Sequence, residues 1–108
     1  MYEVKESDWK LFRKKIAGWQ ESYMERLVEE YIKLLQSNKS SSEKFWELED
    51  RIFKDKRKKD VIVEMSRSKM YWNLISLLQE DAIILENLKD FSSELQEDIK
   101  EGLERWKR

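Results

Sequence analysis

The sequence contains no cysteine, no histidine and no proline, and it has only two glycines. Without cysteine, disulfides and thiolate chemistry are excluded, and a cytoplasmic location is the simplest expectation. Without histidine, the chain lacks the commonest general base and metal ligand, and also any Ser-His or Cys-His nucleophile. We therefore expect no catalytic residues, no metal site, no cofactor and no enzymatic activity.

Long apolar runs are also absent. The longest is the four-residue segment 82–85, whereas a helix needs about 20 apolar residues to span a bilayer, so we expect a soluble protein without a membrane partner. The 22 basic and 23 acidic residues nearly cancel, so the overall charge does not favour a nucleic-acid partner. Five Trp, four Tyr and four Phe indicate a folded chain, because disordered chains are poor in aromatic residues.

The spacing of the apolar residues predicts an all-α fold, a single-domain bundle of about four helices over residues 1–108. We expect a long first helix with Ser7 as its N-cap and Asp8 at its positive end, extending to Gln36. Its apolar residues recur at steps of three and four. The main stripe is Trp9, Phe12, Ile16, Trp19, Tyr23, Leu27, Tyr31 and Leu34, widened by Ala17, Met24, Val28, Ile32 and Leu35.

A second helix is predicted after the loop-like segment 37–42, starting at a capping box formed by Ser40 and Glu43. Its apolar stripe is formed by Phe45, Leu48 and Ile52, with Trp46 and Phe53 alongside.

The β-branched run 61–63 is compatible with a strand, but no pairing strand is apparent. We interpret it as the start of a third helix, which is apolar nearly all round and therefore central. A break at 79–82 precedes the last helical region, in which Ser92 is a candidate internal N-cap.

The first helix is longer than the helices that could cover it. Because Trp and Tyr dominate interface hot spots, we expect part of its aromatic stripe to need a second chain. The sequence thus predicts a homodimer with the self-association face Trp9, Phe12, Trp19 and Tyr23. The alternative is a monomer in which the fourth helix runs back along the N-terminal half and covers these residues alone.

Basic residues are concentrated between positions 54 and 69, where they could bind phosphates or could form solvated surface. The candidate anion or nucleic-acid contacts are Lys54, Lys56, Arg57, Lys58, Lys59, Arg67 and Lys69. We interpret Arg67 as a clamp on a carboxylate inside the bundle, with small Ser66 and Ser68 allowing close helix approach. An anion-binding Arg67 is the alternative.

Two carboxylate pairs lie at i, i+4 spacing: Glu25 with Glu29, and Glu94 with Asp98. Such pairs could bind a hard cation or act as an acid/base pair. In a chain with 23 acidic residues they arise by chance, so we interpret them as solvated helix faces.

Four segments taken in order resemble a family of small bacterial helical proteins without an assigned biochemical role. They are KESDWKLFR at 5–13, EKFWE at 43–47, SRSKM at 66–70 and LKDFSSEL at 88–95. The resemblance covers most of the chain and implies a bacterial, cytoplasmic, helical protein with glycine common near the position of Asp81. It implies no mechanism.

The leading functional hypothesis is a non-catalytic helical interaction protein that self-associates and has a further, unidentified protein partner. The alternative is a nucleic-acid or anion binder that acts through the basic region 54–69.

Overall fold

A computed structural model describes residues 3–58 and 63–106. Three quarters of these residues are helical and none of them lies in a strand, so the all-α prediction is confirmed. Two short 3₁₀ turns, Arg67–Lys69 and Leu85–Leu88, accompany four helices: α1 (Glu6–Leu35), α2 (Ser41–Asp55), α3 (Met70–Gln79) and α4 (Ser93–Arg105).

Side-chain caps start two of the helices as predicted. The Ser40 hydroxyl accepts a hydrogen bond from the Glu43 N–H (3.2 Å) and donates one to the Glu43 carboxylate (3.0 Å). The Ser92 hydroxyl likewise accepts from a backbone N–H in the first turn of α4. The prediction for Ser7 is wrong, because the extended backbone that precedes α1 ends at Lys5 and Ser7 lies inside the helix.

The third helix begins later than the sequence suggested. Val63 lies in irregular backbone, whereas positions 61 and 62 lie outside the described residues. β-branched side chains lower helix propensity, and the helix starts only after the turn at 67–69. The Asn73 side chain donates a hydrogen bond to the Glu64 carbonyl (2.9 Å), which ties the irregular segment to α3. Most residues of α3 are buried, so its predicted central position is confirmed.

The main core lies where the first half of α1 meets α3, α4 and the chain that leads into α4. Its fully buried apolar side chains are Phe12, Met70, Leu74, Leu77, Leu88, Leu95 and Ile99. No residue of α2 is buried. The molecule measures 52 × 27 × 22 Å, because the second half of α1 and α2 extend away from this core as a helical hairpin.

The chain reverses after α3 at Asp81, which has a φ of 58°. This left-handed conformation suits glycine best, although aspartate tolerates it better than most residues do. A glycine would therefore fit here, as the family resemblance implies. The guanidinium of Arg26 donates hydrogen bonds to the carbonyls of Glu80 and Asp81, which joins the end of α3 to the middle of α1.

Asp8 joins α1 to the start of α4. Its side chain is 2% exposed and accepts hydrogen bonds from the backbone N–H (2.8 Å) and the hydroxyl (2.6 Å) of Ser92. Because Ser92 is the N-cap of α4, the carboxylate lies at the positive end of that helix as well as within α1. An exposed ion pair between Lys5 and Glu94 (2.6 Å) lies beside this contact.

We expect Asp8→Ala to lower the free energy of unfolding by about 1–3 kcal/mol, because it removes the buried carboxylate that accepts hydrogen bonds from the half-buried Ser92 donors. Urea denaturation followed by circular dichroism measures this loss. The matched control is Ser7→Ala, an exposed neighbour that should change stability by less than about 0.5 kcal/mol. Equal losses in the two variants would contradict the role of Asp8.

Helices α3 and α4 are in close contact at Gly102. A Cβ atom there would clash with the hydroxyl oxygen of Tyr71 and lie 3.0 Å from Cδ1 of Ile75. The Tyr71 hydroxyl also donates to the carbonyl of Asp98 (3.4 Å). Around Gly18, on an exposed face of α1, a Cβ atom would meet nothing within 4 Å.

The two glycines should therefore respond in opposite directions to alanine. Gly102→Ala should destabilise the chain by about 1–3 kcal/mol through overpacking. Gly18→Ala should stabilise it by up to about 1 kcal/mol through helix propensity alone. Thermal unfolding of the two variants beside the wild type tests both signs, and a Gly102→Ala variant at least as stable as the wild type would contradict the close α3–α4 contact.

Candidate interaction surface

The four aromatic residues predicted to form a self-association face lie mainly inside the chain. Trp9, Phe12 and Tyr23 are 6%, 0% and 3% exposed, and Trp19 is half-buried, with its ring centroid 6.3 Å from that of Phe91. Trp9, Phe12 and Trp19 pack in the core formed with α3, α4 and the chain that leads into α4, so the fourth helix does not cover them alone as the alternative proposed. These four residues are therefore not an exposed face for a second chain.

The exposed apolar residues of α1 lie in its second half, beyond the core. Met24, Val28, Ile32 and Leu35 are exposed by 39%, 49%, 46% and 46%, and their steps of four, four and three place them on one face of the helix. Each follows directly after a position of the inward stripe at 23, 27, 31 and 34. In the sequence these four residues only widen the apolar stripe of the first helix. In the structure they are the residues of that helix half that stay exposed.

Helix α2 is amphipathic, yet it buries none of its apolar side chains. Phe45 and Trp46 are 62% and 65% exposed, and Ile52 and Phe53 are 43% exposed each. The rings of Phe45 and Trp46 pack edge-to-face with centroids 4.9 Å apart. Leu48 is half-buried.

The side of α2 that faces α1 is largely polar. Its half-buried residues include Lys44, Leu48, Arg51 and Asp55. The hydroxyl of Tyr31 donates a hydrogen bond to the Asp55 carboxylate (2.6 Å). Burial and this hydrogen bond raise the pKa of the Tyr31 hydroxyl, so it stays a donor at neutral pH. The hairpin is thus joined through polar contacts, while most of the apolar residues of α2 point elsewhere.

The free apolar stripes of α1 and α2 lie on the same side of the hairpin. Successive residues of a helix are rotated by about 100° around its axis. On each helix the free stripe directly follows the residues that face the other helix, so it is turned about a quarter turn away from that side. Because the two helices run in opposite directions, both turns bring the free stripes to the same side of the hairpin. We call this surface the hairpin face; its residues are Met24, Val28, Ile32, Leu35, Phe45 and Ile52.

Charges of opposite sign flank the two edges of the hairpin face. Glu21, Glu25 and Glu29 line the same surface depression as Met24 and Val28 on α1. At the end of α2, Lys56 and Arg57 lie over the ring of Phe53, at 5.7 Å and 4.0 Å from its centroid. Within residues 3–58 and 63–106, none of these five charged side chains forms an ion pair.

The structure does not unite the predicted basic region 54–69 into one patch. Lys54 pairs with Asp50 (3.0 Å), and Lys58 pairs with Asp55 (3.4 Å), beside the middle of α1. Arg67 instead binds Glu6 at the first turn of α1. Lys69 is exposed within the 3₁₀ turn before α3, and Lys59 lies outside the described residues.

Arg67 binds a carboxylate with both arms of its guanidinium, as the clamp hypothesis proposed. Its Nε and Nη2 donate to the two carboxylate oxygens of Glu6 at 3.2 and 3.0 Å. The placement inside the bundle is wrong, however, because the two side chains are 58% and 56% exposed. Ser66 and Ser68 share a 3.3 Å hydrogen bond at the surface, so they do not serve close helix packing.

The hydrogen bond from Arg67 holds the pKa of the Glu6 carboxyl below its usual 4.5. A carboxyl whose pKa is lowered in the folded chain stabilises the fold above the unfolded-state pKa, and this contribution is lost as pH falls. At neutral pH we expect Arg67→Ala to lower Tm by at most about 4 °C, as for an exposed pair.

This difference in Tm should shrink as the pH is lowered from about 5 to about 3. Differential scanning calorimetry across that range measures it. Lys69→Ala, a neighbouring exposed cation, is the control and should show no such trend. A large loss at pH 7 that persists at pH 3 would indicate a packing role for Arg67.

The carboxylate pairs noted in the sequence are not assembled into a cation site. Glu94 is bound by Lys5, and this hydrogen bond lowers the pKa of its carboxyl. In the part of the chain that the structure describes, no three His, Cys, Asp or Glu side chains converge as metal ligands. Among the same residues, no helix has the length and hydropathy needed to cross a lipid bilayer.

Compared with protein-family models, curated protein sequences and solved structures, the chain matches none of them. The resemblance to small bacterial helical proteins therefore stays a prediction, and function must be argued from the hairpin face itself.

Proposed function

We propose that this chain is a non-catalytic helical interaction protein that binds a protein partner through the hairpin face. The observation that carries the proposal is α2, a 15-residue helix with four exposed large apolar residues and no buried residue. Helices of this length are marginal in isolation, and most of their stability comes from packing of the apolar face. A partner would supply that packing.

The size of the free surface supports the same proposal. The hairpin face exposes six large apolar side chains by 39% to 62% each. Taking about 200 Å² for a fully exposed large side chain, they expose on the order of 570 Å². The largest apolar patch on a typical monomer is about 300–600 Å² and is often functional, and the hairpin face lies at the upper end of that range.

The alternative of nucleic-acid or anion binding has less support. Lys54, Lys58 and Arg67 are engaged by carboxylates of the same chain. Of the other described cations of this region, Lys56 and Arg57 border an apolar face, and Lys69 lies apart from them in the 3₁₀ turn before α3. A cytoplasmic, bacterial setting is part of the proposal and follows from the composition and the resemblance alone.

Photo-crosslinking in the native host tests the proposal. With Phe45→benzoylphenylalanine, the reactive group replaces an aromatic side chain of the hairpin face and should give a discrete crosslinked product of defined mass. The control places the same group at Glu101, an exposed position of α4, and should give no product. Equal yields from the two positions, or none from either, would refute binding through the hairpin face.

A further inference from the structure

We infer that the partner is a second copy of this chain, and that two hairpins pack face to face into an intermolecular four-helix bundle. The two-fold axis runs parallel to the helices, so that α1 of each chain lies against α2 of the partner. This inference rests on the proposed function and names its partner.

The helix arrangement of the hairpin face fits a second copy of the same chain. The hairpin presents two antiparallel helices whose free apolar stripes face the same side, which is half of an antiparallel four-helix bundle. A second hairpin supplies the missing half with the same helix lengths and the same stripe spacing. A two-fold dimer is the commonest homo-oligomer, and it requires a self-complementary patch of this kind.

The exposed apolar area of the hairpin face is also large enough for a dimer interface. A standard-size interface uses about 800 Å² from each partner, of which somewhat more than half is apolar, and the six residues of the hairpin face expose enough apolar area, on the order of 570 Å², to supply that share. The interface would also place large apolar and aromatic side chains at its centre and charged ones at its rim, as protein interfaces do. Phe45, the most exposed residue of the hairpin face, would be its aromatic anchor.

The charges at the edges of the hairpin face favour one arrangement of the two copies. Tyr31 of α1 donates a hydrogen bond to the carboxylate of Asp55 at the end of α2. The stretch of α1 around Tyr31 is therefore level with the end of α2, which Lys56 and Arg57 follow directly. With the axis parallel to the helices, the acidic edge of α1 meets the basic edge of the partner's α2 at the same height.

The other two-fold arrangement, with the axis across the hairpin, would place α1 against α1 of the partner. The acidic edges with Glu21, Glu25 and Glu29 would then face each other, and like charges in contact disfavour an interface strongly. Charge complementarity thus favours the arrangement with Glu25 and Glu29 opposite Lys56 and Arg57 of the partner subunit.

A charge-exchange experiment on the purified 108-residue chain tests this arrangement. Sedimentation velocity of the wild type at micromolar concentration should give about twice the 13.3 kDa of one chain. Two double variants are compared, Glu25→Lys/Glu29→Lys and Lys56→Glu/Arg57→Glu. In a dimer of either variant, like charges would face each other at both edges of the interface. Each should raise the dimer dissociation constant by about tenfold or more.

Mixing the two variants in equal amounts should restore the dimer, because every contact between them again joins opposite charges. The control Glu97→Lys/Glu101→Lys reverses two exposed charges on α4 and should leave the dissociation constant unchanged. Circular dichroism of each variant shows that the helices are retained.

The outcomes separate this inference from the proposed function. A monomeric wild type that still crosslinks a different protein at position 45 overturns the second copy as partner and leaves the interaction function standing. A dimer that neither variant weakens, or that mixing does not restore, overturns the arrangement. A monomer without any crosslinked product overturns both.

Discussion

The hydrogen bonds between Asp8 and Ser92 determine where the rest of the chain can lie. The carboxylate of Asp8, which is 2% exposed, accepts two hydrogen bonds from Ser92, and these matter because a buried polar group is costly when its hydrogen bonds are lost. This contact brings the last helical region to the first turns of α1, and with it the side chains that cover Trp9 and Phe12. The second half of α1 is left without that cover, and among the described residues it contacts α2 through Tyr31 and the end of α3 through Arg26.

Two halves of one continuous helix therefore carry different roles. In the first half, the apolar stripe is buried by α3 and by the chain that leads into α4. In the second half, the inward residues Tyr23, Leu27 and Leu34 are buried, but the adjoining stripe from Met24 to Leu35 stays exposed. The polar contact between Tyr31 and Asp55 holds α2 in place without using its apolar side chains. These side chains therefore remain available for a partner.

The elements of the fold could be predicted from the sequence because local signals determine them. Ser40 and Ser92 are strong N-caps, and apolar steps of three and four define each helix. The choice of tertiary partners could not be predicted in the same way. Asp8 fits equally well at the start of its own helix or beside Ser92, 84 positions away. The stripe on α1 likewise has the same periodicity in its buried and free parts, so burial could not be assigned along it, and the expected face was placed at Trp9, Phe12, Trp19 and Tyr23.

The lack of buried residues in α2 has a consequence for dynamics. The free energy of local opening depends on the buried contacts that break, and segments with few such contacts open far more often than the whole protein unfolds. Around α3, opening means disrupting the entire core, whereas α2 can detach after losing polar contacts such as that of Tyr31 with Asp55. Amide hydrogens of α2 should therefore exchange with solvent much faster than those of α3 in an isolated chain. Any partner on the hairpin face would slow this exchange, so the dynamics of α2 report directly on whether the face is occupied.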